Sequence, residues 1–116
     1  MNHETLARLH GALSSEIRLR ILELVSANGE MCVCELVDQM DMSQANISRH
    51  VGILRDAGIL TCRKVGTWAL LRVDESVIEH ASRDLLDTIR RNHSESVHED
   101  ALARLEERGC DTRETD

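Results

Sequence analysis

The sequence predicts a mainly helical domain that carries one small β-hairpin. Three observations indicate this fold class: a single aromatic residue in 116, successive short segments with helical periodicity, and two adjoining segments rich in β-formers. Because the apolar residues are almost all aliphatic, the core must consist of Leu, Ile, Val, Met and Ala, which favours packed helices over a β-sandwich. The chain length predicts one domain with a modest core.

The first two helices follow from the spacing of their apolar residues. Residues 4–13 form a short amphipathic helix whose apolar face consists of Leu6, Leu9 and Leu13. Ser14 or Ser15 can cap a second helix, which ends at Asn28-Gly29. Its apolar stripe, at a period of 3.6 residues, consists of Ile17, Ile21, Leu24 and Val25.

Two further short helices are predicted to follow, joined by a tight turn at residues 41–42. The buried face of the third helix consists of Val33, Leu36, Val37 and Met40. Ser43 is a suitable N-cap for the fourth helix, and Gly58 suits the left-handed position at its end, with Ile59 closing the motif. The buried stripe of the fourth helix consists of Ile47, Val51 and Leu54.

Residues 60–65 and 67–73, separated by Gly66, are predicted to form a β-hairpin. Two short helices with a tight turn, followed by a hairpin, are typical of a winged helix-turn-helix domain. A long helix from Ser76 onward carries a broad apolar stripe, consisting of Val77, Ile78, Ala81, Leu85, Leu86 and Ile89. We expect little core to remain for this stripe, so it predicts a homodimer formed through the terminal helices.

The chain divides into a predicted winged-helix and dimerisation domain over residues 1–92 and an acidic, flexible tail over 93–116. Residues 97–105 of the tail can add a helical turn or two. The formal net charge is −7, which disfavours nucleic-acid binding by the chain as a whole. Residues 42–73, however, carry five cationic side chains against Asp56 alone, so the basic segment coincides with the fourth helix and the hairpin.

The polar face of the fourth helix predicts contact with DNA, because the second helix of a helix-turn-helix enters the major groove. Gln44, Ser48 and Arg49 are the candidates for reading base edges. Ser43 and His50 are further candidates for direct contact with DNA. Phosphate contacts are expected from Arg55, Arg63, Lys64 and Arg72. The alternative is that this face is only solvated.

Two of the four cysteines, Cys32 and Cys34, lie at the start of the third helix with one residue between them. Thiolates are soft ligands, so the pair offers a chelate for thiophilic ions and metalloids. Residues two apart in a regular helix point about 200° apart. Both sulfurs can therefore hold one atom only if the helix start is non-helical or is unwound by binding, and unwinding would disturb the recognition helix.

The remaining titratable and sulfur groups give weaker signals. Cys62 is expected to pack in its strand, and Cys110 in the tail can supply a third sulfur; Cys62 is the weaker candidate for that role. His80, His93 and His98 share no obvious helix face and are expected to be solvated. No phosphate loop, zinc-hydrolase motif or nucleophile set is recognisable, which argues against an enzyme.

The sequence lacks an apolar run of membrane-spanning length and a secretion signal, so we expect a cytoplasmic protein without a membrane partner. In that compartment the cysteines are expected to be reduced.

Four segments of the chain are similar to the ArsR/SmtB family of metalloregulatory repressors, and the resemblance extends from Leu6 to Ile89. Residues 30–36, EMCVCEL, resemble its metal-binding box. Residues 12–22 resemble a family signature near the second helix. Residues 43–51 resemble the recognition helix of the family, and residues 54–60 resemble the segment that ends this helix.

The resemblance implies the arsenic-responsive branch: a dimer that binds operator DNA without a cofactor, represses a detoxification operon and is released by arsenite, methylarsenite or antimonite. Val37 stands where arsenite-type members often carry a third cysteine, so a site with two assured thiols suits a monomethylated arsenical at least as well. The zinc-type pattern of the last helix is absent. Gly52 stands where members of the family commonly carry a lysine, so one phosphate contact is expected to be missing.

The sequence leaves two alternative functions open. In one, the same cysteines sense oxidants or persulfides instead of binding a ligand. In the other, the winged-helix shape serves protein binding and the chain has no sequence-selective affinity for DNA.

Overall fold

The computed structural model describes residues 1–91 and 101–109. The helices and strands, in chain order, are α1 (His3–Ala12), α2 (Glu16–Asn28), α3 (Val33–Met40), α4 (Gln44–Asp56), β1 (Leu60–Val65), β2 (Trp68–Val73), α5 (Glu75–Arg90) and α6 (Ala101–Arg108). The predicted fold class is confirmed: the structure is mainly helical, and β1 and β2 form one antiparallel hairpin.

Local sequence signals fix the ends of these helices. The Ser15 and Ser43 side chains accept hydrogen bonds from the amides of Arg18 and Asn46, at 3.3 and 3.2 Å, and so cap α2 and α4. Gly58 follows α4 with φ of +77°, a conformation that costs glycine little.

The amide of Ile59 donates to the carbonyl of Leu54 at 2.9 Å. This bond closes α4 in the predicted manner.

The core of residues 1–85 is aliphatic, as the composition predicted. The largest fully buried side chains are Ile21, Met31, Leu36, Ile47, Leu54, Ile59, Leu60, Leu71 and Val25. They come from α2, α3, α4, the hairpin and the segments that precede α3 and β1, so the recognition helix and the wing are held by one shared core. Burial of such side chains is the main stabilising term of a domain of this size.

The long helix α5 differs from the expectation that its stripe has no core to cover. Ala81 is 1% exposed, and Val77 and Ile78 pack against the core. The later apolar residues of the helix are exposed, namely Leu85, Leu86 and Ile89.

The described residues 86–91 and 101–109 belong to a second unit. Its described part holds the end of α5 and the helix α6, which has no buried residue. The helix α6 lies inside the segment predicted to be a tail. Within residues 1–91 and 101–109, no helix combines the length and the apolar character that crossing a bilayer requires.

Candidate nucleic-acid interface and thiol site

The helix α4 presents a polar face opposite its buried stripe. Gln44, Ser48 and Arg49 are exposed, which leaves these three side chains accessible to a ligand. The Arg49 guanidinium donates to the Asn46 side-chain oxygen at 3.2 Å, so its position on the helix surface is restrained. The Ser43 hydroxyl accepts the cap hydrogen bond of α4 from the Asn46 amide, so Ser43 lies at the start of this helix.

His50 differs from the other predicted DNA-facing residues because its side chain is only 5% exposed. Its Nδ1 lies 3.0 Å from Arg18 Nη1, and its Nε2 lies 3.3 Å from Arg49 Nη2. A neutral imidazole has one acceptor nitrogen, so the ring accepts from one arginine at a time. The expectation that His50 flanks the DNA-facing residues as a direct contact is therefore corrected: the ring supports Arg49 from below.

The electrostatic surroundings of His50 favour its neutral form. Burial, followed by the charges of Arg49 and Arg18, lowers the pKa of His50 below its ordinary value of 6.5.

Arg18 also holds the end of α1, since it donates to the carbonyl oxygens of Ala12 and Gly11 at 2.7 and 3.3 Å. One guanidinium thus links α1, α2 and the recognition helix. Sequence reasoning missed this role of Arg18.

The wing carries the second set of predicted DNA contacts, and one of them is already paired. Arg63 Nε and Nη2 donate to the two Glu30 carboxylate oxygens at 2.6 and 2.8 Å. This hydrogen bonding lowers the pKa of Glu30 and raises that of Arg63. Arg63 is therefore not free for a phosphate while the pair persists, whereas Arg55 and Lys64 are exposed.

The two cysteines lie on either side of Val33, the first residue of α3. Cys32 is the N-cap, with extended backbone angles of φ −90° and ψ 162°, and the helix begins only at Val33. The two Cα atoms lie 5.4 Å apart, and the sulfurs form a disulfide. Of the two conditions predicted for a shared atom, the non-helical start holds, so no unwinding is needed to bring the sulfurs together.

The disulfide in this structure differs from the sequence expectation of reduced cysteines. The helix start that holds the pair is fixed by Glu35, whose side chain accepts a hydrogen bond from the Cys32 amide at 3.1 Å. Cys32 is 7% exposed, and Cys34 is exposed at the surface. A ligand can thus reach the pair from the side of Cys34.

The thiol pair is joined directly to the wing. Met31, the residue before Cys32, exchanges two backbone hydrogen bonds with Leu71 of β2, with N–O distances of 3.1 and 2.7 Å. Glu30, one residue earlier, binds Arg63 of β1. Two consecutive residues before the pair are thus anchored to the two strands of the hairpin.

Cys62 is a free cysteine and does not join the pair. Cys62 is half-buried against the core and faces Leu71 across the hairpin, in agreement with its predicted packing. Cys110, the predicted source of a third sulfur, lies outside the described residues, as do His93 and His98. Among residues 1–91 and 101–109, no three side chains of the His, Cys, Asp and Glu types are grouped as metal ligands.

Comparison with known proteins gives one family. The model of the "Bacterial regulatory protein, arsR family" matches residues 15–61. The arsenical resistance operon repressor of Escherichia coli K12 is 39% identical over 90 residues, which cover 78% of this chain and 76% of that protein. The arsenic resistance regulator ArsR1 of Pseudomonas putida is 39% identical over 97 residues, covering 84% and 74%.

Solved structures support the same fold. The regulator HlyU of Vibrio vulnificus is 31% identical, with a TM-score of 0.55 and coverage of 72% of this chain and 84% of that one. A homodimeric winged helix-turn-helix DNA-binding domain from Mycobacterium bovis is 24% identical, with a TM-score of 0.61 and coverage of 78% and 83%. The second likeness concerns the fold alone.

Proposed function

Because the chain belongs to the ArsR family of bacterial regulatory proteins, it is a DNA-binding transcriptional repressor and not an enzyme, and we propose that a trivalent arsenical bound by Cys32 and Cys34 releases it from its operator. One observation carries this proposal: the extended backbone at Cys32 brings the two sulfurs together at a point anchored to the wing. Relatives named for arsenical resistance indicate the element.

The chemistry requires the pair as two thiols. Exchange with two molecules of a cellular monothiol converts the disulfide into the dithiol and releases the oxidised monothiol. Arsenite then condenses with the dithiol: two S–H and two As–O bonds break, two As–S bonds form, and two water molecules leave. Arsenic stays trivalent throughout, and soft sulfur ligands suit it. The same chemistry applies to antimonite and to a monomethylated arsenical.

Release of DNA requires that the ligand favours one arrangement of the protein over another. An arsenic atom between the sulfurs separates them further than a direct bond or repositions Cys32 relative to α3. Met31 and Glu30 precede Cys32 and bind β2 and β1. The displacement therefore reaches the hairpin first, which differs from the unwinding route expected from sequence.

The DNA interface consists of the exposed face of α4 and the wing. Gln44, Ser48 and Arg49 read base edges in the major groove, and Arg55 and Lys64 bind phosphates. Arg63 joins them only when it leaves Glu30. His50 and Ser43 position the reading residues from below and from the helix start.

We further propose that the repressor is a homodimer formed through its terminal helices. The exposed apolar residues of α5, namely Leu85, Leu86 and Ile89, need a partner surface. The Mycobacterium bovis neighbour of the same fold is homodimeric. A dimer also matches the two half-sites that helix-turn-helix proteins recognise.

The same two cysteines allow a second candidate function, in which oxidation of the pair itself is the signal; the relatives named for arsenical resistance favour the first. The two functions differ in the effector that releases DNA: an arsenical acting on the dithiol, or an oxidant or persulfide acting in the absence of arsenic.

Titration of the repressor–operator complex separates these functions, with fluorescence anisotropy of labelled DNA as the readout and a phosphine as the reductant. Arsenite, methylarsenite, antimonite, cadmium and zinc are compared with peroxide and tetrasulfide. Single Cys→Ser variants at 32, 34, 62 and 110 identify the sulfurs. We expect arsenicals to release the wild type and Cys62→Ser, but not Cys32→Ser or Cys34→Ser. Unchanged release of these two variants would overturn the proposal.

A further inference from the structure

An apolar groove opens between the start of α3 and the wing. The open groove has a volume of about 410 Å³, and its walls are formed by Cys32, Cys34, Glu35, Val65, Trp68 and Leu70. Glu35, the charged member of this set, turns a carboxylate oxygen towards the Cys32 amide. The groove therefore places two sulfur atoms beside walls that are otherwise aliphatic and aromatic.

The wing side of this groove exposes large apolar side chains. Trp68 is 58% exposed and Val65 is 45% exposed, and the two residues are paired across the hairpin. Leu70, two residues after Trp68, lies on the same face of β2. Trp68 is also the single aromatic residue of the chain. A concave surface with apolar walls and a few reactive groups is typical of a small-molecule site.

We propose that this groove binds the organic substituent of a monosubstituted trivalent arsenical, with an aryl group packed against Trp68. The inference rests on the proposed function, because the two thiolates must hold the arsenic atom. Trivalent arsenic forms three bonds, so an arsenic held by two sulfurs keeps one further substituent. Since both sulfurs line the groove, that substituent lies next to its apolar walls.

The nature of this third substituent decides what the groove contributes. In arsenite it is a hydroxyl group, which gains little from contact with Trp68 or Leu70. A phenyl group instead removes apolar surface from water and meets an aromatic ring, both of which strengthen binding. The cavity is large enough, since one of roughly 150 Å³ already holds benzene.

The binding step is balanced without any redox change. Phenylarsonous acid loses two hydroxyl groups as water when two S–H bonds break and two As–S bonds form, and its As–C bond remains intact. The disulfide must first be opened, and a phosphine reductant is the choice in the experiment because dithiols would compete for arsenic.

Isothermal titration calorimetry of the reduced full-length protein tests this inference, with phenylarsonous acid and arsenite as the two probes. The variant Trp68→Ala removes the aromatic wall, and Leu19→Ala, an exposed leucine on α2, is the matched control. We expect Trp68→Ala to lower the affinity for phenylarsonous acid about tenfold, while the affinity for arsenite stays within about twofold of the wild-type value. Trp68→Phe should restore most of the loss, and Leu19→Ala should change neither affinity.

The outcomes distinguish the inference from the function beneath it. If Trp68→Ala weakens both probes equally, or neither, the aryl subsite is wrong although the thiol site stands. If neither probe binds the wild type, or both bind Cys32→Ser with unchanged affinity, the proposed function itself fails. Anisotropy of labelled operator DNA provides the second readout, since the aryl arsenical should release Trp68→Ala only at higher concentration.

Discussion

Met31 and Leu71 pair as an isolated antiparallel bridge, in which each residue donates its amide to the carbonyl of the other at 3.1 and 2.7 Å. Met31 is fully buried and Leu71 is 2% exposed. The bridge therefore holds the residue before the thiol pair in the core beside the wing. It thus connects the proposed inducer site directly to the wing, which we propose contacts DNA.

Replacing Arg49 by alanine should weaken operator binding about 10- to 100-fold, because the variant loses a side chain that we propose reads base edges. The dimer should survive, since Arg49 is exposed on α4. A gel-shift titration with specific and scrambled DNA measures both affinity and selectivity. Arg20→Ala, an exposed arginine on α2, is the control; equal losses in the two variants would contradict the helix assignment.

Replacing Glu30 by glutamine should tighten DNA binding at low salt. Glu30 accepts both hydrogen bonds of the Arg63 guanidinium, so the neutral amide releases a cation on the wing for a phosphate. One added phosphate contact steepens the dependence of log K on log salt by about 0.9. Affinity measured at four or five salt concentrations gives this slope.

The control for Glu30→Gln is Glu23→Gln, which removes the same charge from an exposed site on α2. If both variants shift the salt slope equally, only net charge matters and the pairing with Arg63 has no part in DNA binding.

Acidification should destabilise the protein through His50. Its pKa is lowered in the folded state, so below about pH 6.5 the unfolded chain binds a proton that the folded protein resists. Stability is thus complete above this pH and falls as the pH drops. One such group contributes at most about a tenfold change in the unfolding constant per pH unit.

Urea unfolding at pH 7.5, 6.5 and 5.5 measures this dependence. His50→Gln should reduce the loss of stability on acidification, whereas His3→Gln, at an exposed position on α1, should leave it unchanged. An identical pH dependence in wild type and His50→Gln would refute the role of the buried ring.

Introducing a charge at Ile89 should separate the dimer. Ile89 is 72% exposed on α5, and burying a carboxylate against an apolar partner surface is costly. Ile89→Glu should raise the dimer dissociation constant about tenfold or more in sedimentation equilibrium. Ser82→Glu places the same charge elsewhere on this helix; a dimer equally stable in both variants would exclude this face.

Much of the fold can be predicted from residues that are close together in the sequence. Ser15, Ser43 and Gly58 act on the residues next to them, so the ends of α2 and α4 follow from short-range hydrogen bonds and backbone freedom. The hairpin follows likewise from β-formers on both sides of Gly66.

Parts of the site depend on contacts that sequence spacing does not reveal. Glu30 and Arg63 are 33 residues apart, and their pairing needs the packing of the loop before α3 on the wing.

The sequence nevertheless contains signals for two features of the site, the burial of His50 and the cap formed by Glu35. His50 stands three residues after Ile47 and four before Leu54, the spacing of a buried helix position. Glu35, three residues after Cys32, matches a capping box.

The most direct test of the account is the amount of arsenic that the thiol pair binds when it is the only pair left. The double variant Cys62→Ser/Cys110→Ser keeps only Cys32 and Cys34, and the converse double variant keeps only the other two cysteines. After reduction with a phosphine, loading with arsenite and desalting, arsenic per protomer is measured by mass spectrometry. We expect one arsenic atom per protomer and release of operator DNA for the first variant, and neither for the second. If the second variant binds arsenic and releases DNA, or if neither variant does so, Cys32 and Cys34 are not the inducer site.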